Sequence, residues 1–401
     1  MAATEKDIVV GLDLGSAGIT VAVLRGGPLS KREVLGVGFS PSIGIDKGEI
    51  INTDDAVGSL QRAVADAELA AGVDISYVYA SADVPGMQLR CASAQFKAGG
   101  GRDISRWKPQ EIYRELYRQV LLPDYSVVQL TGIRYYIDGE PVKAPAAARP
   151  GNSLLVEALV IMAPTRSVEE KQKCLRQAGL KVKQAVAGPL AVAEAVLSGM
   201  ERELGVVCVD IGAALTKVAY LNRGLVVDMG IFPVGGDHIT ADLAVGLRTT
   251  LEDAEAVKSK YGLSRVDGHI KVQAMSGAGH TVPGDLVYTV VQARVQEILE
   301  FIKGFIDSLH IDNSLPGGIV ITGGGAMLPG LPELAGDYLA MPVRVGSSCL
   351  LPESVPEDEV YRYTTAVGLA LWGARQGTAV RGARWGAESS ILNRIRSWLS
   401  L

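Results

Sequence analysis

The chain has 401 residues, 48% of them hydrophobic and 21% charged, which is typical of folded proteins rather than disordered ones. The formal net charge of −5 argues against non-specific nucleic-acid binding by the whole protein. We find no secretory leader, no long apolar run, no metal-ligand spacing of the four histidines, no CxxC pair and no P-loop. We therefore expect the protein to belong to a reducing compartment.

An internal repeat begins each half of the chain. Residues 9–24 read VVGLDLGSAGITVAVL and residues 206–221 read VVCVDIGAALTKVAYL, with eight of sixteen positions identical. Each copy has an apolar run, the motif D-x-G and a second apolar run, which predicts a β-hairpin with an acid and a glycine at its turn. Two unrelated hairpins are the alternative, but the position at the start of each half favours domain duplication.

The rest of the first half predicts several elements. The amphipathic pattern over 54–71 ends at Gly72, which predicts a helix with a glycine stop signal. Short β-like runs surround one helical pattern, 109–120, and we interpret the whole block as an inserted small α/β subdomain. The motif S-x-x-E then predicts a helix over 167–179 that begins with a capping box of Ser167 and Glu170.

In the second half, long helical patterns cover 239–262 and 285–309. Patterns rich in Ala and Gly at 188–197 and 363–372, one late in each half, predict two helices that cross closely. Two ordinary buried helices are the alternative for this pair.

The two D-x-G turns are candidates for phosphate binding. Gly15 allows backbone N–H groups to approach phosphate oxygens, Ser16 and Thr20 add hydroxyl donors, and Asp13 is suited to the water shell of Mg²⁺. The second turn, from Asp210 to Thr216, is predicted to face the first across a cleft. Either turn alone is best explained as a plain hairpin, whereas the pair indicates a nucleotide.

A third glycine cluster, 317–330, predicts a buried strand followed by the bend Gly323-Gly324-Gly325, which suits a purine ring. A tight turn without a ligand is the alternative. Upstream, Glu255 and Lys258 are three residues apart on one helical face. This spacing is consistent with a nucleotide contact, and a solvated ion pair is the alternative.

Together these motifs resemble the actin-type ATPase fold, and within it the chain resembles the bacterial cell-division FtsA family along nearly its whole length. The stretches that carry the resemblance include GIDKGEIINTDDA (44–56), PVGGDHITADLAVGL (233–247), AEAVKSKYG (254–262) and ITGGGAMLPGLPELA (321–335). The block 85–165 is similar to the extra subdomain of that family, called IC.

The resemblance implies an α/β fold of the duplicated actin/ribonuclease-H-like type, with an inserted IC subdomain and a C-terminal amphipathic helix. It implies four subdomains, a linker and a helix. Subdomain IA comprises 1–84 and 166–198, IC comprises 85–165, IIA comprises 199–235 and 305–376, and IIB comprises 236–304. The linker is 377–388, and the membrane-targeting helix is 389–401.

The resemblance also implies ATP with Mg²⁺ as cofactors. The metal is assigned, through water, to Asp13 and Asp210. The nucleotide site is predicted to comprise Asp13, Gly15, Ser16, Ala17, Thr20, Asp210, Gly212, Ala213, Thr216, Gly235, Gly236, Glu255, Lys258, Gly323, Gly324, Gly325 and Met327.

The second phosphate turn departs from the family pattern, DIGGGTTD. Here it reads DIGAALTK, so that Leu215 replaces a threonine and Lys217 replaces an acid. Gly18 stands where the family usually has lysine in the first turn. These changes predict nucleotide binding with weak hydrolysis at most, and no residue is assigned as a catalytic base.

The tail differs in charge from the body. Residues 375–401 contain five arginines and one acid, a net of +4, against −9 for residues 1–374. A helix over its last eleven residues would be amphipathic, which is typical of a helix lying in a membrane surface, and docking on the protein itself is the alternative. The residues assigned to the membrane contact are Ile391, Leu392, Arg394, Ile395, Arg396, Trp398 and Leu399.

The resemblance implies an adaptor that polymerises, tethers FtsZ filaments to the cytoplasmic face of the membrane at the division site and helps to recruit other division proteins. Arg294 and Lys303 are the candidate contacts for the acidic FtsZ tail. A PilM-like pilus adaptor and a metabolic ATP-dependent kinase of the same superfold are the alternatives, and nucleic acid is not an expected partner.

Overall fold

The computed structural model describes residues 8–28, 32–97, 109–142, 153–274, 279–311, 315–348 and 350–379. Three large β-sheets, each associated with helices, form an α/β architecture.

The first sheet contains the first copy of the repeat. Its strands lie in the order β11-β6-β1-β2-β3, and β1 pairs antiparallel with β2 but parallel with β6. The strands of the hairpin are buried, and their continuous apolar runs suit this central position in the sheet. The strands are β1 Ile8–Leu14, β2 Gly18–Arg25, β3 Glu33–Pro41, β6 Tyr77–Ser81 and β11 Lys181–Val186.

The second copy forms a sheet of the same topology. Its order is β14-β13-β12-β17-β18, with β12 antiparallel to β13 and parallel to β17. Two sheets with matching strand order and direction agree with the predicted duplication. The strands are β12 Val206–Ile211, β13 Thr216–Asn222, β14 Leu225–Phe232, β17 Ile319–Thr322 and β18 Val343–Val345.

A third sheet is made within the predicted inserted block. Its order is β7-β10-β8-β9, and all its pairings are antiparallel. Helix α2 packs on it around Ile112 and Leu116, which are fully buried. The strands are β7 Gln88–Lys97, β8 Tyr125–Ile137, β9 Glu140–Val142 and β10 Ser153–Pro164.

Ten α-helices, two short hairpins and two 3₁₀ helices, Gly324–Met327 and Glu357–Tyr363, complete the described part of the chain. The helices are α1 Thr53–Ala71, α2 Pro109–Val120, α3 Thr165–Gln177, α4 Gly188–Val196, α5 Gly199–Leu204, α6 Gly236–Leu247, α7 Leu251–Tyr261, α8 Gly284–Ser308, α9 Leu331–Leu339 and α10 Thr364–Ala379. The short hairpins are β4 Ile45–Asp46 with β5 Glu49–Ile50, and β15 His269–Gln273 with β16 Gly279–Pro283.

Two helix predictions need correction. The single helix expected over 239–262 is broken into α6 and α7, because Arg248 adopts a left-handed conformation and the Thr250 side chain caps α7. The predicted capping box in α3 is wrong: Ser167 lies inside the helix, and its hydroxyl donates to Glu49 at 3.1 Å. The helix at 54–71 is confirmed, with Gly72 as its left-handed C-cap.

The two small-residue helices, α4 and α10, cross closely as predicted. A Cβ atom added at Gly368 would lie 1.9 Å from the carbonyl oxygen of Ala191, so only glycine fits at the crossing. Fully buried Ala366, Ala370 and Ala193 lie on the two helices. The crossing joins α10 to α4 and to the sheet of the first half, since a Cβ at Gly11 would meet the backbone of α10.

Replacing Gly368 tests the role of this crossing. Gly368→Ala is expected to lower stability by about 1–3 kcal/mol, because the added methyl group cannot fit without moving one helix. Thermal unfolding is the measurement. Gly304→Ala in α8 is the matched control, since a Cβ there meets nothing within 4 Å and alanine favours helix. If Gly368→Ala unfolds at the same temperature as the parent, the crossing is not tight.

Candidate functional site

A cleft of about 690 Å³ separates the two halves, and both D-x-G turns line it. Its volume is in the range of small-molecule sites in proteins. The predicted site residues that line it are Asp13, Gly15, Ser16, Ala17, Thr20, Asp210, Gly212, Ala213, Gly236, Glu255, Lys258, Gly323, Gly324, Gly325 and Met327.

Two predicted nucleotide-site residues are not among those that line the cleft. Thr216 is fully buried, and its hydroxyl donates to the carbonyl oxygen of Val234 at 2.8 Å, so it supports the turn from behind. Gly235 packs against the second turn, where a Cβ would lie 2.4 Å from the carbonyl oxygen of Gly212. Both therefore position the turn instead of facing the cleft.

The three glycines of the Gly323-Gly324-Gly325 bend differ in their surroundings. Gly323 has a φ of 84°, and a Cβ there would lie 2.3 Å from Asp210 Oδ1. A Cβ at Gly325 would meet the side chain of Ile211 at 2.4 Å. Gly324 is exposed, and a Cβ there meets nothing within 4 Å, so its backbone is open to a ligand in the cleft.

The predicted Glu255–Lys258 pair is confirmed and extends to α6. Lys258 Nζ donates to Thr240 Oγ1 at 2.9 Å and to the carbonyl oxygen of Gly236 at 3.3 Å, while the Thr240 hydroxyl donates to Glu255. Burial raises the pKa of Glu255, but the hydrogen bonds from Lys258 and Thr240 outweigh this and leave the pKa below its ordinary value. This network fixes the position of Glu255 and Lys258 in the lining of the cleft.

The floor of the cleft carries an ion-pair cluster. Lys217 Nζ lies 3.0 Å from Asp83 Oδ2 and 3.2 Å from Asp210 Oδ2. Lys217 and Asp210 are directly opposite each other on β13 and β12, so their side chains share one face of the sheet. Asp83 follows β6 in the first half, and the ammonium therefore bridges the halves.

Charge interactions among these groups are strong because all of them are buried. Burial would lower the pKa of Lys217, but the carboxylates of Asp83, Asp210 and Asp13 together raise it well above its ordinary value. Burial also raises the pKa of Asp13, an effect that the Lys217 ammonium opposes. Lys217 is thus held in its charged form.

The residues present do not fit the predicted Mg²⁺. The ammonium of Lys217 already neutralises Asp210 and lies where a cation would contact the acids of both halves. A divalent cation there would be repelled by the ammonium. Within the described ranges, no group of three or more His, Cys, Asp or Glu side chains is arranged to hold a metal. The assignment of Mg²⁺ to Asp13 and Asp210 therefore lacks support in this cleft.

A second buried lysine lies behind the floor. Lys171 of α3 is 5% exposed, and its Nζ donates to the carbonyl oxygen of Asp83 at 2.6 Å. Burial lowers its pKa from 10.5 to about 8, although the carboxylates of Asp83 and Asp13 act in the opposite direction. Asp83 also accepts a hydrogen bond from the Gly188 N–H at 2.6 Å, so Lys171 and α4 together fix its position.

The sequence reasoning missed Asp83, Asp237 and Arg362 as cleft residues. Asp83 follows β6 by two residues, and its position at the end of a strand beside β1 is the signal that would have indicated it. Arg362 stacks on Phe39, with its guanidinium 4.2 Å from the ring centroid, and no sequence pattern indicated this contact.

The two candidate partner contacts differ in their environment. Arg294 donates to both carboxylate oxygens of Asp242, at 2.7 and 3.1 Å, and pairs with Glu297, so acids of this chain already occupy it. Lys303 is exposed, with its ammonium 5.9 Å from the ring centroid of Tyr338. Lys303 is therefore the more accessible of the two.

The predicted amphipathic tail lies outside the described residues, so its assigned membrane contacts have no structural counterpart here. Among the helices that are described, none combines the length and hydrophobicity that crossing a bilayer requires.

Comparisons with known proteins point to one family. The profile of "FtsA: Cell division protein FtsA" matches residues 207–368. The FtsA of Enterococcus hirae is 30% identical over 84% of this chain and 77% of its own length. The FtsA of Pseudomonas aeruginosa is 29% identical over 98% of this chain and 97% of its own length.

Solved structures show the fold. The PilM–PilN type IV pilus biogenesis complex aligns with a TM-score of 0.64 at 17% identity, covering 92% of this chain and 98% of the other. MreB5 of Spiroplasma citri bound to ADP aligns with a TM-score of 0.57 at 13% identity, covering 94% and 99%. The chain thus has an actin-like ATPase fold.

The lowered pKa of Lys171 predicts that the stability of the folded protein depends on pH. Below pH 8 the Lys171 side chain is protonated in both the folded and the unfolded state. Between pH 8 and 10.5 the unfolded state binds more protons than the folded state, so the free energy of unfolding rises with pH. Relative to Lys171→Met, the parent is expected to gain about 3 kcal/mol across this window. Urea unfolding of both proteins at matched pH values measures the difference. A constant difference across the window would show that Lys171 keeps an ordinary pKa.

Proposed function

Since the chain belongs to the FtsA family of cell-division proteins, we propose that it is a nucleotide-regulated adaptor. In this proposal it binds ATP in the cleft, assembles with copies of itself and tethers FtsZ filaments to the cytoplasmic face of the membrane at the division site.

The observation that carries nucleotide binding is the meeting of three glycine-containing turns around one cleft. The open backbone of Gly324 offers a surface for a flat base, and the turns at Gly15 and Gly212 offer N–H groups for phosphates. MreB5, which shares the fold, is described with ADP and with AMPPNP bound.

The second turn supports holding a nucleotide rather than rapid turnover. Leu215, where the family has threonine, is 6% exposed and reaches toward the other half, 3.4 Å from the Cβ position of Gly48. An apolar side chain there cannot orient an attacking water, whereas general-base catalysis needs a polar group within hydrogen-bond reach. We propose weak ATP hydrolysis at most.

Partner contacts follow from the family and from charge. The acidic FtsZ tail is proposed to dock on the region of α8, where exposed Lys303 is the accessible cation. The proposed membrane contact is the tail, whose apolar and basic residues alternate with helical spacing. The likeness to PilM at 17% identity shows a shared fold alone and carries no second function.

Gly324 provides a direct test of nucleotide binding. Gly324→Leu is expected to weaken binding of a fluorescent ATP analogue at least about ten-fold, because the side chain would enter the cleft where nothing now lies within 4 Å. Gly304→Leu in α8 is the matched control, since it adds the same side chain to another open position and should bind as the parent does. Equal affinities of the two variants would exclude the bend from the nucleotide site.

The tail gives the test of membrane tethering. Ile395→Gln combined with Trp398→Gln removes two large apolar side chains, and flotation with phosphatidylglycerol vesicles should fall about ten-fold. FtsZ added to the same vesicles should then no longer float with the chain.

The matched control is Asn393→Gln combined with Ser397→Gln, on the opposite helical face. Neither pair changes the charge, so the comparison isolates the apolar contact. If both double variants float equally, with or without FtsZ, the tail is not the tether.

A further inference from the structure

We propose that the ammonium of Lys217 takes the place of a divalent cation at the floor of the cleft, so that the chain binds ATP without Mg²⁺. The inference rests on the proposed nucleotide binding and defines its cofactor requirement.

The geometry places the ammonium between acids of both halves. At 3.0 Å from Asp83 and 3.2 Å from Asp210, its one positive charge is shared between the two carboxylates. The side chain of Lys217 is 10% exposed and lines the cleft. An ammonium has three N–H donors, so with two directed at carboxylates the third is available to a phosphate oxygen.

The residue that lies opposite the acid differs between the two copies of the duplicated hairpin. Asp13 lies opposite Thr20 in the first half, and Asp210 lies opposite Lys217 in the second, at the same register. Thr20 lines the cleft, is 2% exposed, and its hydroxyl has no hydrogen-bond partner in the described structure. One half thus offers an unused hydroxyl and the other a cation, both at the phosphate end of the cleft.

Most of the charge of the floor is paired without metal. Three carboxylates, those of Asp13, Asp83 and Asp210, are accompanied by two ammonium groups, those of Lys217 and Lys171, which leaves one formal negative charge. Magnesium keeps several waters and binds through one or two free carboxylates. Here Asp210 is engaged by Lys217, and Asp83 is engaged by Lys217 and by the N–H of Gly188.

The first experiment needs no variant. Binding of ATP to the full chain is measured by isothermal titration calorimetry in EDTA and again in excess Mg²⁺. The dissociation constants are expected to agree within about three-fold. Binding that is more than about ten-fold weaker in EDTA would overturn the inference and leave the proposed function standing, whereas no binding in either buffer would contradict the proposed function itself.

Variants of Lys217 test its role. Lys217→Asp, which restores the family's acid, and Lys217→Met, which removes the charge, should both bind ATP at least about ten-fold more weakly in EDTA than in Mg²⁺. Met is included because an extra buried acid can prevent folding, and circular dichroism verifies the fold of each variant.

Lys173→Met is the matched control. It removes an exposed ammonium of α3 that does not line the cleft, so its binding should remain independent of Mg²⁺. If a folded Lys217→Met protein binds ATP equally well in both buffers, Lys217 does not replace the metal.

Discussion

The ion pairs of Lys217 connect the two halves at the floor of the cleft. Lys217 and Asp210 belong to the second half, and Asp83 belongs to the first. All three side chains are at most 10% exposed, and a charge left unpaired at such a position is costly. This contact lies between the two D-x-G turns, because the turns begin where β1 and β12 end.

Duplication explains the symmetry of the scaffold and makes a difference between the halves at the floor visible. The two sheets repeat one strand order, so each half presents an acid at the end of its first strand. The opposing position then differs, with a threonine hydroxyl in one half and a lysine ammonium in the other. A symmetric scaffold thus produces a cleft floor whose two halves differ in the side chain that lies opposite the acid.

Sequence reasoning succeeded where the signal is local. The hairpins, helix α1 and the crossing of α4 with α10 follow from apolar periodicity, a glycine stop and small residues. The break between α6 and α7 was missed because the apolar pattern continues across Arg248, whose left-handed conformation no motif indicates. Ser167 was misassigned because its hydroxyl is used in a contact with Glu49, 118 residues earlier. The partner of Asp83, Lys217, is also distant in sequence, and the position of Asp83 two residues after β6 was the local signal that was overlooked.

Glycine accounts for 47 of the 401 residues, and this high number has a structural origin that composition does not reveal. Glycine turns account for part of it, yet Gly11 and Gly368 are needed where helices lie directly on strands or on one another. These close approaches place α10 at the junction of sheet and helices, where the basic tail begins. In the proposed function one such tail is a marginal anchor, so that membrane attachment would need several tails acting together. Assembly of the bodies and attachment of the tails would then be coupled through avidity.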